Sequence, residues 1–188
     1  MGIARNLAAL LDSSGDVVAG ALDNAGGGGI WTLISSANTN GVSAIVDFTN
    51  ITGYKEVMLS IRDLTGNLAL QVSSNNGTSW DSGLYRNYLQ IVSIGSGVSV
   101  NNGNSNNTYA RIAYGGNGAA ANYTEVLMDV STSNYKVLGY HRDGTAGGRH
   151  VVGTGGQWTP CVVNAIRLLT ISGGTIDAEV QVYGRNYS

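Results

Sequence analysis

Residues 56–83 read EVMLSIRDLTGNLALQVSSNNGTSWDSG, and two successive runs within them alternate between apolar and polar side chains. In the first, Val57, Leu59 and Ile61 interleave with Met58, Ser60 and Arg62; in the second, Leu68, Leu70 and Val72 interleave with Ala69, Gln71 and Ser73. A period of two puts every second side chain on one face of an extended strand, so each run predicts a strand with one buried face. Residues 63–67, Asp-Leu-Thr-Gly-Asn, have the length and chemistry of a turn joining antiparallel neighbours. Asn76-Gly77 supplies the pair that best tolerates the positive φ of a second reversal. The stretch predicts a β-meander. Too small to be stable alone, it needs a second sheet over its apolar stripe.

The rest of the chain reads the same way. Only 12% of its 188 residues are charged, while 28 are Gly and one is Pro, a balance that suits many turns between short strands and suits long helices poorly. The 43% hydrophobic content argues against disorder. Val42, Ala44, Val46 and Phe48 form another inward-facing set, as do Thr124, Val126, Met128 and Val130. Residues 84–94, 109–114 and 135–141 are further strand candidates. Residues 101–107, NNGNSNN, read as a polar loop, and residues 142–156 as a long Gly-rich loop holding at most one short strand. Residues 164–171 are nearly continuously apolar, as a strand in the middle of a sheet is. After a Ser-Gly-Gly turn, Ile176, Ala178, Val180 and Val182 face inward. Nine to eleven short strands without a fixed repeat period predict an all-β, antiparallel two-sheet sandwich, jelly-roll-like in connectivity.

Ahead of this body, residues 1–25 form a separate unit, divided from it by the glycines of 26–29 acting as a hinge; the sandwich is expected over 30–188. Leu7, Leu10 and Leu11 have helical spacing, with Asn6 placed to cap one or two turns. Val17, Val18 and Leu22 add a second apolar patch. A helix this short is marginal in water, so the unit is either a frayed tail or an arm ordered by docking on another subunit. The apolar residues favour docking, because a spacer has no need of them.

Several function classes are disfavoured. A net charge of −2 gives no surface suited to nucleic acid or anionic membrane. Cys161 is the single cysteine, so no internal disulfide forms. No apolar run reaches the roughly 20 residues of a membrane span, and residues 7–11 are too short for the core of a signal peptide, so the chain reads as soluble and made in the cytoplasm. His141 and His150 are the only imidazoles, neither lies in a catalytic motif, and with Cys161 they lack zinc-ligand spacing. Asp177 and Glu179 share a strand face about 7 Å apart, a separation paired glycosidase carboxylates also use, yet the alternation equally predicts a solvated outer face. No glycine-rich segment precedes a helix as an anion cradle requires. Neither catalysis, metal nor cofactor is expected. Loops around Trp80 and Trp158 offer aromatic surface for a glycan, with Asn75, Asn102, Asn104 and His150 as further candidate contacts; interface or core filling is the competing role for these aromatics.

Five stretches carry a resemblance. ARNLAALLDSSGDVVAGALDN at 4–24 resembles the N-terminal segment of tailed-bacteriophage fibre and decoration proteins. WTLISS, VSAIVDFTNITGY and LQVSSNNGTSWDSG are similar to a β module recurring in phage virion proteins, and NAIRLLTISGGTIDAEVQVYGR at 164–185 looks like that module's closing hairpin. The resemblance implies a non-enzymatic virion structural protein and a homo-oligomer, with a trimer favoured over a dimer. Fibre proteins bearing the module are usually longer, with stalks or extra domains, whereas this chain has room for one arm and one sandwich. That favours a decoration or cement protein on the capsid exterior, bound to the major capsid protein or another virion protein through Leu7, Leu10, Leu11, Val17, Val18 and Leu22. The alternative it implies is a tail-fibre or head-fibre module that binds a host receptor or surface glycan.

Overall fold

The computed structural model describes residues 31–65, 68–82, 85–93, 97–113, 121–131, 137–144, 149–156, 161–171 and 173–186. Twelve strands run through them: β1 (Thr32–Asn38), β2 (Ile45–Phe48), β3 (Glu56–Thr65), β4 (Leu68–Ser73), β5 (Tyr85–Ser93), β6 (Gly97–Asn107), β7 (Ala110–Ala113), β8 (Ala121–Asp129), β9 (Val137–Gly144), β10 (Arg149–Gly156), β11 (Ala165–Thr170) and β12 (Asp177–Arg185). They form an eight-stranded sheet, β1-β12-β3-β8-β9-β10-β5-β6, and a four-stranded sheet, β2-β11-β4-β7. Every pairing is antiparallel. The fold is an all-β sandwich.

Its connectivity is that of a jelly roll. β1 pairs with β12, β2 with β11, β3 with β8 and β4 with β7, four nested antiparallel pairs of the kind made by folding a long hairpin and rolling it up. The roll closes where β12 meets β3 in one sheet and β11 meets β4 in the other. Two further antiparallel pairs are inserted, β5–β6 between β4 and β7, and β9–β10 between β8 and β11. Both extend the larger sheet beyond β8.

The core lies between the sheets and follows the alternation in the sequence. Val57, Leu59 and Ile61 of β3, Val126 and Met128 of β8, and Ala178, Val180 and Val182 of β12 are buried from the large sheet. Facing them are Phe48, Leu68, Leu70, Val72, Ile112, Ile166 and Leu168 of the small one. Each such aliphatic side chain contributes roughly 1.5–3 kcal/mol by leaving water, and together they hold two sheets that neither could sustain alone.

Several expectations need correction. Residues 63–65 continue strand β3, and β3 and β4 are not antiparallel neighbours: β3 belongs to the large sheet and β4 to the small one. Likewise β11 and β12 are not a closing hairpin but neighbours in chain order placed in opposite sheets. Alternation tells which face of a strand is buried and is silent on which strand lies beside it. Val42 and Ala44 do not face inward. Asn40 and Gly41 turn with φ of 44° and 68°, β2 begins only at Ile45, and Val42 is 81% exposed. Residues 101–107 are strand rather than loop, the outermost part of edge strand β6. An edge strand is held by backbone bonds to one neighbour and accepts polar side chains throughout. Within residues 142–156 the short strand allowed in the Gly-rich stretch is β10, paired on both sides, and residues 142–144 are not loop but the end of β9. The strand count is accordingly twelve among the described residues.

Candidate interaction surface

On the outward face of the large sheet, cross-strand registry brings apolar residues into one line. Leu33 of β1 stands opposite Tyr183 of β12, Tyr183 opposite Met58 of β3, and Met58 opposite Leu127 of β8. Adjacent strands lie about 4.8 Å apart, so this row spans about 14 Å. Leu33 is 52% exposed and Leu127 36%, while Met58 and Tyr183 are half-buried. Each occupies a position where strand alternation calls for a polar residue, because Val57, Leu59, Val126, Met128 and Val182 already fill the inward positions.

The row has a polar rim. On one side Arg185 donates from Nε to Glu56 Oε2 at 2.7 Å, the two residues being direct cross-strand partners. The guanidinium carbon also lies 4.5 Å from the centre of the Trp31 ring, so Trp31, Arg185 and Glu56 form a bracket along that border. On the other side Tyr183 donates its hydroxyl proton to Gln181 Oε1 at 2.7 Å, leaving the ring to the row and its polar tip to the rim. Glu125 continues that border, aligned with Gln181 across the buried Ser60 of β3. An apolar centre with a polar border is the anatomy of a contact surface between proteins.

A second bracket of the same design stands on the outward face of the small sheet. Arg167 of β11 and Asp47 of β2 are cross-strand partners joined by two hydrogen bonds, Nε to Oδ1 at 2.7 Å and Nη2 to Oδ2 at 2.8 Å. Asp47 thereby raises the Arg167 pKa above its already high ordinary value. The Arg167 guanidinium carbon lies 4.2 Å from the centre of the Trp80 ring. Gly77 packs against the six-membered ring of Trp80, with a φ of 84°.

Trp80 sits in a loop whose polar side chains bond one another. Ser73 Oγ accepts from the amides of Asn75 and Gly77 and donates to Asn75 Oδ1. Asn75 Oδ1 also accepts from the Ser79 amide, and Asn75 Nδ2 donates to Ser79 Oγ. Asn76 and Asn50 exchange two bonds: the Asn50 amide donates to Asn76 Oδ1 at 2.6 Å, and Asn76 Nδ2 to Asn50 Oδ1 at 2.9 Å. Asn164 ties in the far end of the chain, accepting from the Asn76 amide at 2.7 Å and donating to the Ser74 carbonyl at 2.9 Å. At the base, the buried hydroxyl of Tyr85 accepts from the Val72 amide and donates to the Asp81 carbonyl. Burial pushes the Tyr85 phenol well above its ordinary value.

The candidate binding residues fare unequally. Asn75 and Trp80 do fall in one loop, but the Asn75 side chain is committed to shaping it, and Arg167 and Gly77 take up Trp80 surface that a sugar would need. Asn102 and Asn104 are on edge strand β6, and His150 is on β10 opposite Asp143 and Val92, so the structure does not place these three in loops. Trp158 lies outside the described residues, as do Leu7, Leu10, Leu11, Val17, Val18 and Leu22 with the glycines of 26–29. Asp177 and Glu179 are exposed on β12. Sequence reasoning missed Leu33 and Leu127, and it missed the Asn50, Asn164, Asp47 and Arg167 partnerships. Met58 was the available signal, an apolar residue at an outward position.

Fold and surface together define a class: a jelly-roll sandwich carrying an apolar row on the outside of its larger sheet. Beyond the class, no protein-family model matches the chain and no curated protein matches it.

Proposed function

We propose that this chain is an assembly protein, one that works by adding contact area between other subunits. More particularly, we read it as a decoration or cement protein of a tailed-bacteriophage virion, bound to the capsid exterior. The observation that carries the assembly reading is the row Leu33–Tyr183–Met58–Leu127, apolar surface at outward positions with a bracketed polar border. The sequence resemblance of residues 4–24, 31–36, 42–54, 70–83 and 164–185 to phage virion proteins carries the particular one.

In this reading the work is mechanical. Residues 1–25 and the sandwich each bind a different capsid subunit, so that two contacts joined by the hinge hold more tightly than either alone. The added burial resists the outward pressure of a packaged genome. Self-association into a trimer, or a dimer, multiplies the number of attached arms. No chemical step is involved.

The test is binding of purified protein to capsids that lack it, read by co-sedimentation. Replacing Leu7, Leu10 and Leu11 with Asp should abolish binding while circular dichroism stays that of a β protein; binding at the wild-type level by this variant would reject the arm's role. Binding of the purified protein to a glycan array, with none to capsids, would instead favour the fibre reading.

A further inference from the structure

The same outward row suggests what covers it before any capsid is met. We propose that the apolar residues of the chain's own N-terminal segment, within 7–22, lie across the row Leu33–Tyr183–Met58–Leu127, so that the free protein keeps its two sticky surfaces against each other.

Three observations point to this occupant. First, thirty residues precede Trp31, and they join the sandwich at the border of this very face: Trp31 packs under Arg185 on the outward side of β12, and Leu33, two residues on, is the first member of the row. Second, the reach is sufficient. The nine residues from Leu22 to Trp31 span up to roughly 30 Å when extended, about twice the length of the row. Third, the sizes match. One or two helical turns bearing Leu7, Leu10 and Leu11 on one side, with Val17, Val18 and Leu22 following, present an apolar strip of comparable width.

Tethering decides between this segment and the same segment of a second copy. A short flexible linker holds its cargo at an effective concentration in the millimolar range, well above that of the free protein in most solutions. The contact is therefore intramolecular, and its displacement by a larger partner surface would free both the arm and the row together. It is a property of the isolated protein, so its test stands apart from capsid binding.

Methionine chemistry reads it directly, because thioether oxidation follows exposure. Met58 is in the row and Met128 is buried in the core, so one digest reports both the contact and the integrity of the fold. Full-length protein and a full-length Leu10→Asp, Leu11→Asp, Leu22→Asp variant would be treated with dilute hydrogen peroxide and sulfoxide followed by mass spectrometry. Met58 in the variant should oxidise about threefold faster or more, Met128 should stay equally slow in both, and the wild-type rate should hold on roughly hundredfold dilution. Equal Met58 rates in the two proteins would overturn the proposal. So would protection that vanishes on dilution, which would assign the row to a second copy.

A spin label offers a route that does not depend on the triple variant folding. A nitroxide at Leu11→Cys, in a Cys161→Ser background, should broaden the Met58 and Leu127 amides of its own chain. It should leave them sharp when the label and the isotope are on different molecules. Broadening only in the mixed sample, or in neither, contradicts intramolecular docking.

Discussion

At the scale of single residues, Gly184 shows how tightly the sandwich is built. A Cβ placed there would lie 2.5 Å from two ring carbons of Tyr54 and 2.7 Å from Ile34 Cδ1. All three clashes lie on the inner side of β12, a strand paired on both sides, where neighbours have little room to yield. Gly184→Ala should therefore cost about 1–3 kcal/mol, read as a lowered denaturant midpoint. The Gly184→Ala, Tyr54→Ala pair should show non-additivity, since the second change removes the principal obstacle. Tyr85 makes a second prediction, through pH. Its phenol is held above the ordinary value of 10.0, so it keeps its proton in the folded state where unfolded chains lose theirs. The sign follows. Its contribution is intact below pH 10 and shrinks as pH climbs beyond that, because the unfolded state then binds fewer protons. A spectrophotometric titration of the native protein should leave at least one of the ten tyrosines un-ionised until the protein unfolds; all ten titrating together near pH 10 would contradict the buried geometry. Neither residue stands out in the sequence, for Gly184 is one glycine among 28 and its obstacle, Tyr54, lies 130 positions away.

At the scale of elements, the loop from Ser73 to Asp81 is a framed unit, fastened at its tip by Asn50, Asn76 and Asn164 and at its base by Tyr85. Asn164→Ala removes a carbonyl acceptor and an amide donor at once, and should cost roughly 1–2 kcal/mol of stability because two neutral hydrogen bonds are lost. Amide hydrogen exchange should report faster exchange at Asn76 in that variant, with β3 and β12 unchanged. The inward faces of β3, β8 and β12 were legible as alternation, because burial on one side of a strand leaves a period of two. The pairing of those strands was not. Residues 63–67 have the look of a hairpin turn, and only the pairing of β4 with β11 and β7 shows that it leaves the first sheet for the second. Residues 101–107 erred in the opposite direction, since Asn, Gly and Ser read as loop while backbone pairing with β5 is indifferent to them. The interaction surface was half legible. Met58 marked an outward apolar position, but its alignment with Leu33, Tyr183 and Leu127 depends on registers that join residues 69 to 150 positions apart.

At the scale of the whole molecule, the apolar row on the larger sheet is the described surface available to a partner. Breaking the row should separate assembly from folding. Leu33→Glu with Leu127→Glu places charges on the outward face, away from the sandwich core, so the melting temperature should stay within a few degrees of wild type, consistent with the small effects of substitutions outside the core. Capsid binding by this variant should nevertheless weaken at least tenfold, as expected when charges are buried without partners at an interface. The most direct measurement is a pair of low-resolution electron cryomicroscopy maps of the particle, with and without this protein. A decoration protein should give difference density on the outer shell, repeated at symmetry-related positions and bridging neighbouring capsid subunits. Difference density confined to the tail, or particles indistinguishable with and without the protein, would contradict it.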